Sequence, residues 1–207
     1  MVETQIIKNC LPPSLFKNIQ NRLTDFDNLP FFFAVGTAYH PEMIQDSSEP
    51  LVGDNLDSSF SNVVFDYDEG YRSQNADILH DAILVACDKA GRKIDTILRI
   101  RIGLITGATE TLVHDKHVDY CYHHTTGLLY INDTDGDTIL YSEKYDETSD
   151  KGVVEQSDGE MSVAKRISPE ENKVVFFDGS TFHSSSTPTK TAYRMVVNFN
   201  FIEESDG

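Results

Sequence analysis

Four side chains in the second half of the chain have types and spacings suited to redox chemistry. They are His117 and Asp119, two residues apart, then His183, then Arg194 eleven residues after it. Two imidazoles and one carboxylate can occupy one face of a divalent iron and leave three positions open for reactants. On a strand, residues i and i+2 project to the same side, so His117 and Asp119 could grip one ion together. The third ligand must then come from a strand that the fold brings alongside. The triplet alone argues little. With 7 His and 21 Asp among 207 residues, chance supplies about 0.7 such triplets.

The text around the triplet carries more. Tyr130-Ile131-Asn132 follows it, then Asp135-Gly136-Asp137-Thr138. Later come Pro169, a Val174–Phe177 run closing on Asp178, then His183, and Arg194 heading an apolar strand. That order resembles the 2-oxoglutarate- and Fe(II)-dependent dioxygenases, most closely their prolyl-4-hydroxylase-like branch. There a His-x-Asp pair precedes a Tyr-Leu-Asn strand, a Gly-rich acidic turn, a distal His and an Arg about ten residues on. The resemblance covers residues 99–201.

It implies a mainly β (α+β) fold, a double-stranded β-helix or jelly roll with supporting N-terminal helices. It implies His117, Asp119 and His183 as ligands of Fe(II), with 2-oxoglutarate chelating through its 1-carboxylate and 2-oxo oxygens and dioxygen taking the last position. The keto acid would leave as succinate and carbon dioxide while an unactivated C–H bond, such as that of a prolyl residue, is hydroxylated. Ascorbate is admissible as an ancillary reductant. Arg194 would hold the 5-carboxylate, its planar fork matching a carboxylate with two parallel bonds. The other accounts of Arg194 are an ion pair with a structural Asp or a side chain pointing outward. Tyr130 matches the tyrosine whose hydroxyl reaches the same carboxylate, and is equally readable as a core tyrosine with its hydroxyl satisfied. The chain departs from the pattern in lacking Ser or Thr near Arg194. Asn198, four residues on and facing the same way, is the expected substitute. The Arg101–Thr106 strand also lacks the tyrosine that relatives often place there.

The elements that must position these residues read as follows. Residues 12–24 form a helix, with Pro12 and Pro13 in its first turn and Leu15, Phe16, Ile19 and Leu23 on one face. Phe31–Val35 reads as a buried strand. Residues 36–72 read either as a flap over the iron or as a surface excursion with one strand near Val63–Phe65. Residues 73–90 form a second helix, striped by Ala76, Leu79, Ala82, Ile83, Ala86 and Cys87 and stopped by Gly91. From Thr96 the period becomes that of strands: 97–105, 112–120, 126–132, 138–141, 162–167, 173–177, 181–185 and 192–201. Short strands at this density indicate a sandwich or barrel. The expectation is one domain over 1–207, with helical support and flap in 1–95 and the jelly-roll core in 96–203. Asp133–Asp137 fails the calcium-loop pattern and reads as a hairpin turn. The acidic stretch 142–160 reads as a solvated loop.

Rival metal ligands are weaker. Cys121, His123 and His124 with His117 could imitate a zinc cluster, but no Cys-x-x-Cys or His-Glu-x-x-His accompanies them. His114 should face away from His117 and be exposed, and His40 and His80 should lie on the surface. The net charge of -17 repels phosphate backbones and anionic lipid, which argues against nucleic acid as a partner. A peptide, a protein or a small molecule is the expected substrate, and oligomeric state is not legible. Three scattered cysteines, no leader-like N-terminus and no apolar run near membrane length point to a cytoplasmic protein. The competing classes are a jelly-roll binding module without turnover and a cupin-like metalloenzyme that does not use 2-oxoglutarate.

Overall fold

The structure, a computed structural model, describes residues 3–35, 58–146 and 160–205. Eleven strands and two helices follow in the order β1 (Thr4–Ile7), α1 (Pro13–Leu23), β2 (Phe32–Val35), β3 (Ser58–Asp66), β4 (Gly70–Tyr71), α2 (Ala76–Ala90), β5 (Ile94–Thr106), β6 (Thr125–Tyr130), β7 (Thr138–Lys144), β8 (Val163–Ile167), β9 (Val174–Asp178), β10 (Thr181–Ser185) and β11 (Tyr193–Glu203). The larger sheet has the order β1-β9-β6-β11-β5-β3-β2, with β4 paired to β3. A smaller sheet has the order β10-β7-β8. Every pairing is antiparallel.

The alternation along β11 explains why the large sheet is covered on both sides. Met195, Val197, Phe199 and Phe201 join an apolar cluster with Phe16, Ile19 and Leu23 of α1 and Leu79, Ala82, Ile83 and Ala86 of α2. Arg194, Val196, Asn198 and Asn200 alternate with them and so face the smaller sheet. There Leu128, Tyr130, Val175, Phe177 and Val196 of the large sheet pack with Leu140 and Ile167 of the small one. Two sheets facing across such a layer, one of them backed by helices, form the jelly roll expected from the strand pattern.

Both helices lie where the apolar stripes put them. Pro13 begins α1, and the buried residues of α2 are the six of its predicted stripe. Gly91 ends α2 in the left-handed region at φ 71°, and Arg92 N–H closes the turn on the Cys87 carbonyl.

Several local expectations need correction. Residues 112–120 do not form a strand; they run alongside β10 and make two isolated bridges, His117 to His183 within it and Val113 to Ser186 just past its end. The Phe31–Val35 strand exists but ends the sheet, so Phe32 and Phe33 are 66% and 58% exposed. Asp133–Asp137 does not turn a hairpin, because β9 and β11 already occupy both edges of β6. It carries the chain from one sheet to the other, and the Asp135 carboxylate accepts the backbone N–H groups of Thr189 and Lys190 there. Of the 36–72 stretch, residues 36–57 lie outside the described residues; the remainder forms β3 and β4. Residues 147–159 of the acidic stretch and His40 also lie outside them.

Candidate functional site

His117 and His183 meet as backbone partners. Each donates its N–H to the other's carbonyl, at 3.0 and 2.9 Å, and the two rings lie 4.4 Å apart. Each Nδ1 lies 3.1 Å from the carbonyl two residues earlier in its own chain, Asp115 for His117 and Thr181 for His183. A neutral imidazole in that contact keeps its proton on Nδ1 and leaves the Nε2 lone pair free for an ion. Burial and the facing His183 push His117 down to about 3, and burial also lowers His183, so both rings are neutral at pH 7. Asp119 Oδ2 lies 3.8 Å from His183 Nε2. One donor atom from each of His117, Asp119 and His183 fits within 4.8 Å of the others. Among the described residues no other His, Cys, Asp and Glu group of three is so placed.

Asp119 is gripped from the strands below it. Arg99 donates to Oδ1 at 2.7 Å, while Asn200 and Asn198 donate to Oδ2 at 2.8 and 3.2 Å. Burial alone would raise this carboxyl, but the Arg99 guanidinium beside it holds it well below the ordinary carboxylate range. Sequence reasoning missed Arg99 and Asn200. Their signal was present as two polar pairs at i and i+2, Arg99 with Arg101 and Asn198 with Asn200, each on an otherwise apolar strand.

Arg194 stands two rungs along β11 from Asn198 and is 4% exposed. Its Nε donates to the Gly136 carbonyl at 3.0 Å and its Nη2 to Thr138 Oγ1 at 2.8 Å. No carboxylate among the described residues forms an ion pair with it, and burial depresses its pKa. The Tyr130 hydroxyl donates to Thr138 Oγ1 at 2.7 Å, and the Arg194 guanidinium lies over the Tyr130 ring. A cavity between the sheets joins the two ends: His117 and His183 line one part of it, Arg194, Thr138 and Leu128 another. Asn198 lines it too, but its amide N–H serves Asp119 rather than the Arg194 end.

The other histidines separate from the cluster. His114 is 4% exposed rather than surface-facing, because the irregular 112–120 path turns it inward to Ser185 Oγ at 2.8 Å. His124 is buried against Gly179, where a Cβ would lie 2.2 Å from its Nε2. His123 is exposed and His80 half-buried.

The donor set fits a divalent iron: two neutral imidazoles with free Nε2 atoms and a carboxylate kept ionised by its surroundings. The buried, unpaired guanidinium on the same cavity fits the far carboxylate of a short diacid. No family model and no curated protein sequence matches the chain. Solved structures do. A prolyl-4-hydroxylase from Pseudomonas putida is 11% identical and superimposes at a TM-score of 0.56 over 99% of this chain and 95% of its own. A prolyl hydroxylase from Trichoplax adhaerens, in complex with a hypoxia-inducible-factor peptide fragment, is 13% identical with a TM-score of 0.59 over 97% and 79%. The non-haem α-ketoglutarate-dependent epimerase SnoN of nogalamycin biosynthesis is 11% identical with a TM-score of 0.58 over 97% and 78%. At such identities the likeness is one of architecture, and the chain has the jelly-roll fold of the 2-oxoglutarate- and Fe(II)-dependent oxygenases.

Proposed function

We propose that the protein is a 2-oxoglutarate- and Fe(II)-dependent dioxygenase that hydroxylates an unactivated C–H bond. The observation that carries this reading is the convergence of His117, Asp119 and His183 on one another, with the two histidines lining the cavity that also holds the unpaired guanidinium of Arg194. His117, Asp119 and His183 hold the iron, and Arg99, Asn198 and Asn200 orient the carboxylate ligand. Arg194 binds the 5-carboxylate of 2-oxoglutarate, with Tyr130 acting on it through the shared Thr138 hydroxyl. Bound together, Fe(II), 2-oxoglutarate and dioxygen supply an oxidant for C–H hydroxylation, with succinate and carbon dioxide as co-products. The apolar wall of Leu128 and Val196 keeps water from the diacid, which strengthens its ion pair with Arg194.

The prolyl residue of a peptide or protein is the specific substrate that the motif order suggests, and two of the fold's relatives act on prolyl groups by name. The epimerase shows that the same architecture serves small molecules, so the reading is a hydroxylase first and a prolyl hydroxylase second. Anaerobic addition of Fe(II) and 2-oxoglutarate should produce a weak visible charge-transfer band, and admission of air should release succinate. A protein that takes up Fe(II) but gives neither band nor succinate is not such an enzyme. Arg194→Gln separates it from a metalloenzyme that needs no keto acid: loss of the band in that variant supports the diacid role, and an unaffected variant opposes it.

A further inference from the structure

Besides Arg194, the cavity is lined by a second guanidinium, Arg101, that the proposed reaction does not use. Three rungs cross β3, β5 and β11 on the face that looks into it. Ser59 neighbours Ile105, which pairs with Arg194; Ser61 pairs with Gly103 and Gly103 with Val196; Val63 pairs with Arg101 and Arg101 with Asn198. Arg101 therefore stands at the end of the cavity nearer Asp119, on the wall away from β6. Among the described residues it makes no hydrogen bond or ion pair, and its Nε is shut off from solvent without an acceptor. Ser61, one rung along from it, and Ser59, level with Arg194, line the same cavity, and neither hydroxyl has a hydrogen-bond partner among the described residues. Gly103 leaves the floor between them open; a Cβ there would meet only Val196, at 3.7 Å.

Charge sharpens the point. Of the three guanidinia on this face, Arg99 is neutralised by Asp119 at 2.7 Å, and Arg194 is the anchor for the diacid. Arg101 has neither: Asp119 attracts it at a distance but is bonded to Arg99. The residue is half-buried with its Nε closed off from solvent, and a bound anion would supply the missing acceptor. The chain outside is strongly acidic, so a cationic, hydroxyl-lined wall inside it was not produced by overall composition.

We propose that Arg101, with the Ser61 hydroxyl one rung along, forms the receptor for a carboxylate of the primary substrate, placing that acid beside the metal end of the cavity. The substrate is then a carboxylate-bearing molecule rather than a neutral one. This rests on the dioxygenase reading, in which 2-oxoglutarate is held separately by Arg194.

The test uses the full chain loaded anaerobically with Mn(II), a redox-silent stand-in for iron, and saturated with 2-oxoglutarate. Acetate and its neutral isostere acetamide are the probes, read by paramagnetic broadening of their methyl proton signals. Calorimetry measures 2-oxoglutarate affinity in parallel. Acetate should broaden saturably and acetamide should not. Arg101→Met should weaken acetate by about tenfold or more, the loss expected for a charge-assisted pair, and change 2-oxoglutarate affinity by less than about threefold. Ser61→Ala, at a site that tolerates a smaller side chain, should weaken acetate by about threefold with 2-oxoglutarate unchanged. The proposal is overturned if acetate binds both variants as it binds the wild type, or if acetamide broadens equally. It is also overturned if Arg101→Met loses 2-oxoglutarate in step with acetate, since the guanidinium then serves the keto acid. A wild type that binds no 2-oxoglutarate at all would instead remove the dioxygenase reading, a separate result from any failure with acetate.

Discussion

Asp119 shows how much of a site can sit one shell behind its ligands. Its charge is secured by Arg99, Asn198 and Asn200 from two adjacent strands, so the carboxylate is ionised and aimed before any ion arrives. Removing one of these partners should loosen the ligand rather than unfold the chain. Asn200→Ala is expected to weaken Mn(II) binding by about tenfold or more, measured by calorimetry. At the other end, Arg194→Lys retains the charge but loses the fork held by Gly136 and Thr138. It should raise the 2-oxoglutarate dissociation constant by about tenfold or more. The thiols offer a check on burial. Burial pushes Cys87 up to about 12 and raises Cys10 as well. Below those values a thiol keeps its proton and reacts slowly. At pH 8 a thiol-specific dye should therefore label the partly exposed Cys121 on the folded protein and reach all three only in denaturant. Rapid labelling of two or three in the folded state would contradict the packing of α2.

Elements were legible where residue types recurred at a regular period over many residues. The stripe of α2 and the alternation of β5 and β11 needed no partner to be read. The 112–120 segment was misread because apolar and β-branched residues there satisfy an extended path that pairs only twice, at Val113 and His117. Pairing is a property of the neighbour, and no pattern within the segment reports it. The same holds for β1, a four-residue strand whose partner β9 lies about 170 residues away, and for the exposed edge of β2. Close packing between elements adds a constraint at Gly127. A Cβ there would lie 2.2 Å from the Phe199 ring, which is itself wedged against Phe176 and Phe201. Gly127→Ala should therefore cost about 1–3 kcal/mol and lower the melting temperature by roughly 2–10 °C. An unchanged melting curve would mean that the ring has room to move.

Across the whole molecule, the ligands come from the two sheets and the segment between them, so ion and diacid should tie the halves together. Mn(II) and 2-oxoglutarate, each at a hundredfold excess over its dissociation constant, should each add about 2.7 kcal/mol, together a rise of roughly 10–20 °C in melting temperature. His183→Ala should abolish the metal-dependent part of that rise. No helix among the described residues is long and apolar enough to cross a membrane, in agreement with the absence of a long apolar run. The order and spacing of short motifs, through the family resemblance they carry, gave the fold class and named His117, Asp119, His183 and Arg194, because each motif is read along the chain without knowing its partner. Only the tertiary structure decided that Arg99 and Asn200 grip Asp119, that Asn198 serves the metal end, that His114 is buried, and that Arg101 faces the cavity without a partner. Those outcomes depend on register between strands up to about a hundred residues apart, and register is set by packing across the sheet rather than by sequence along one strand.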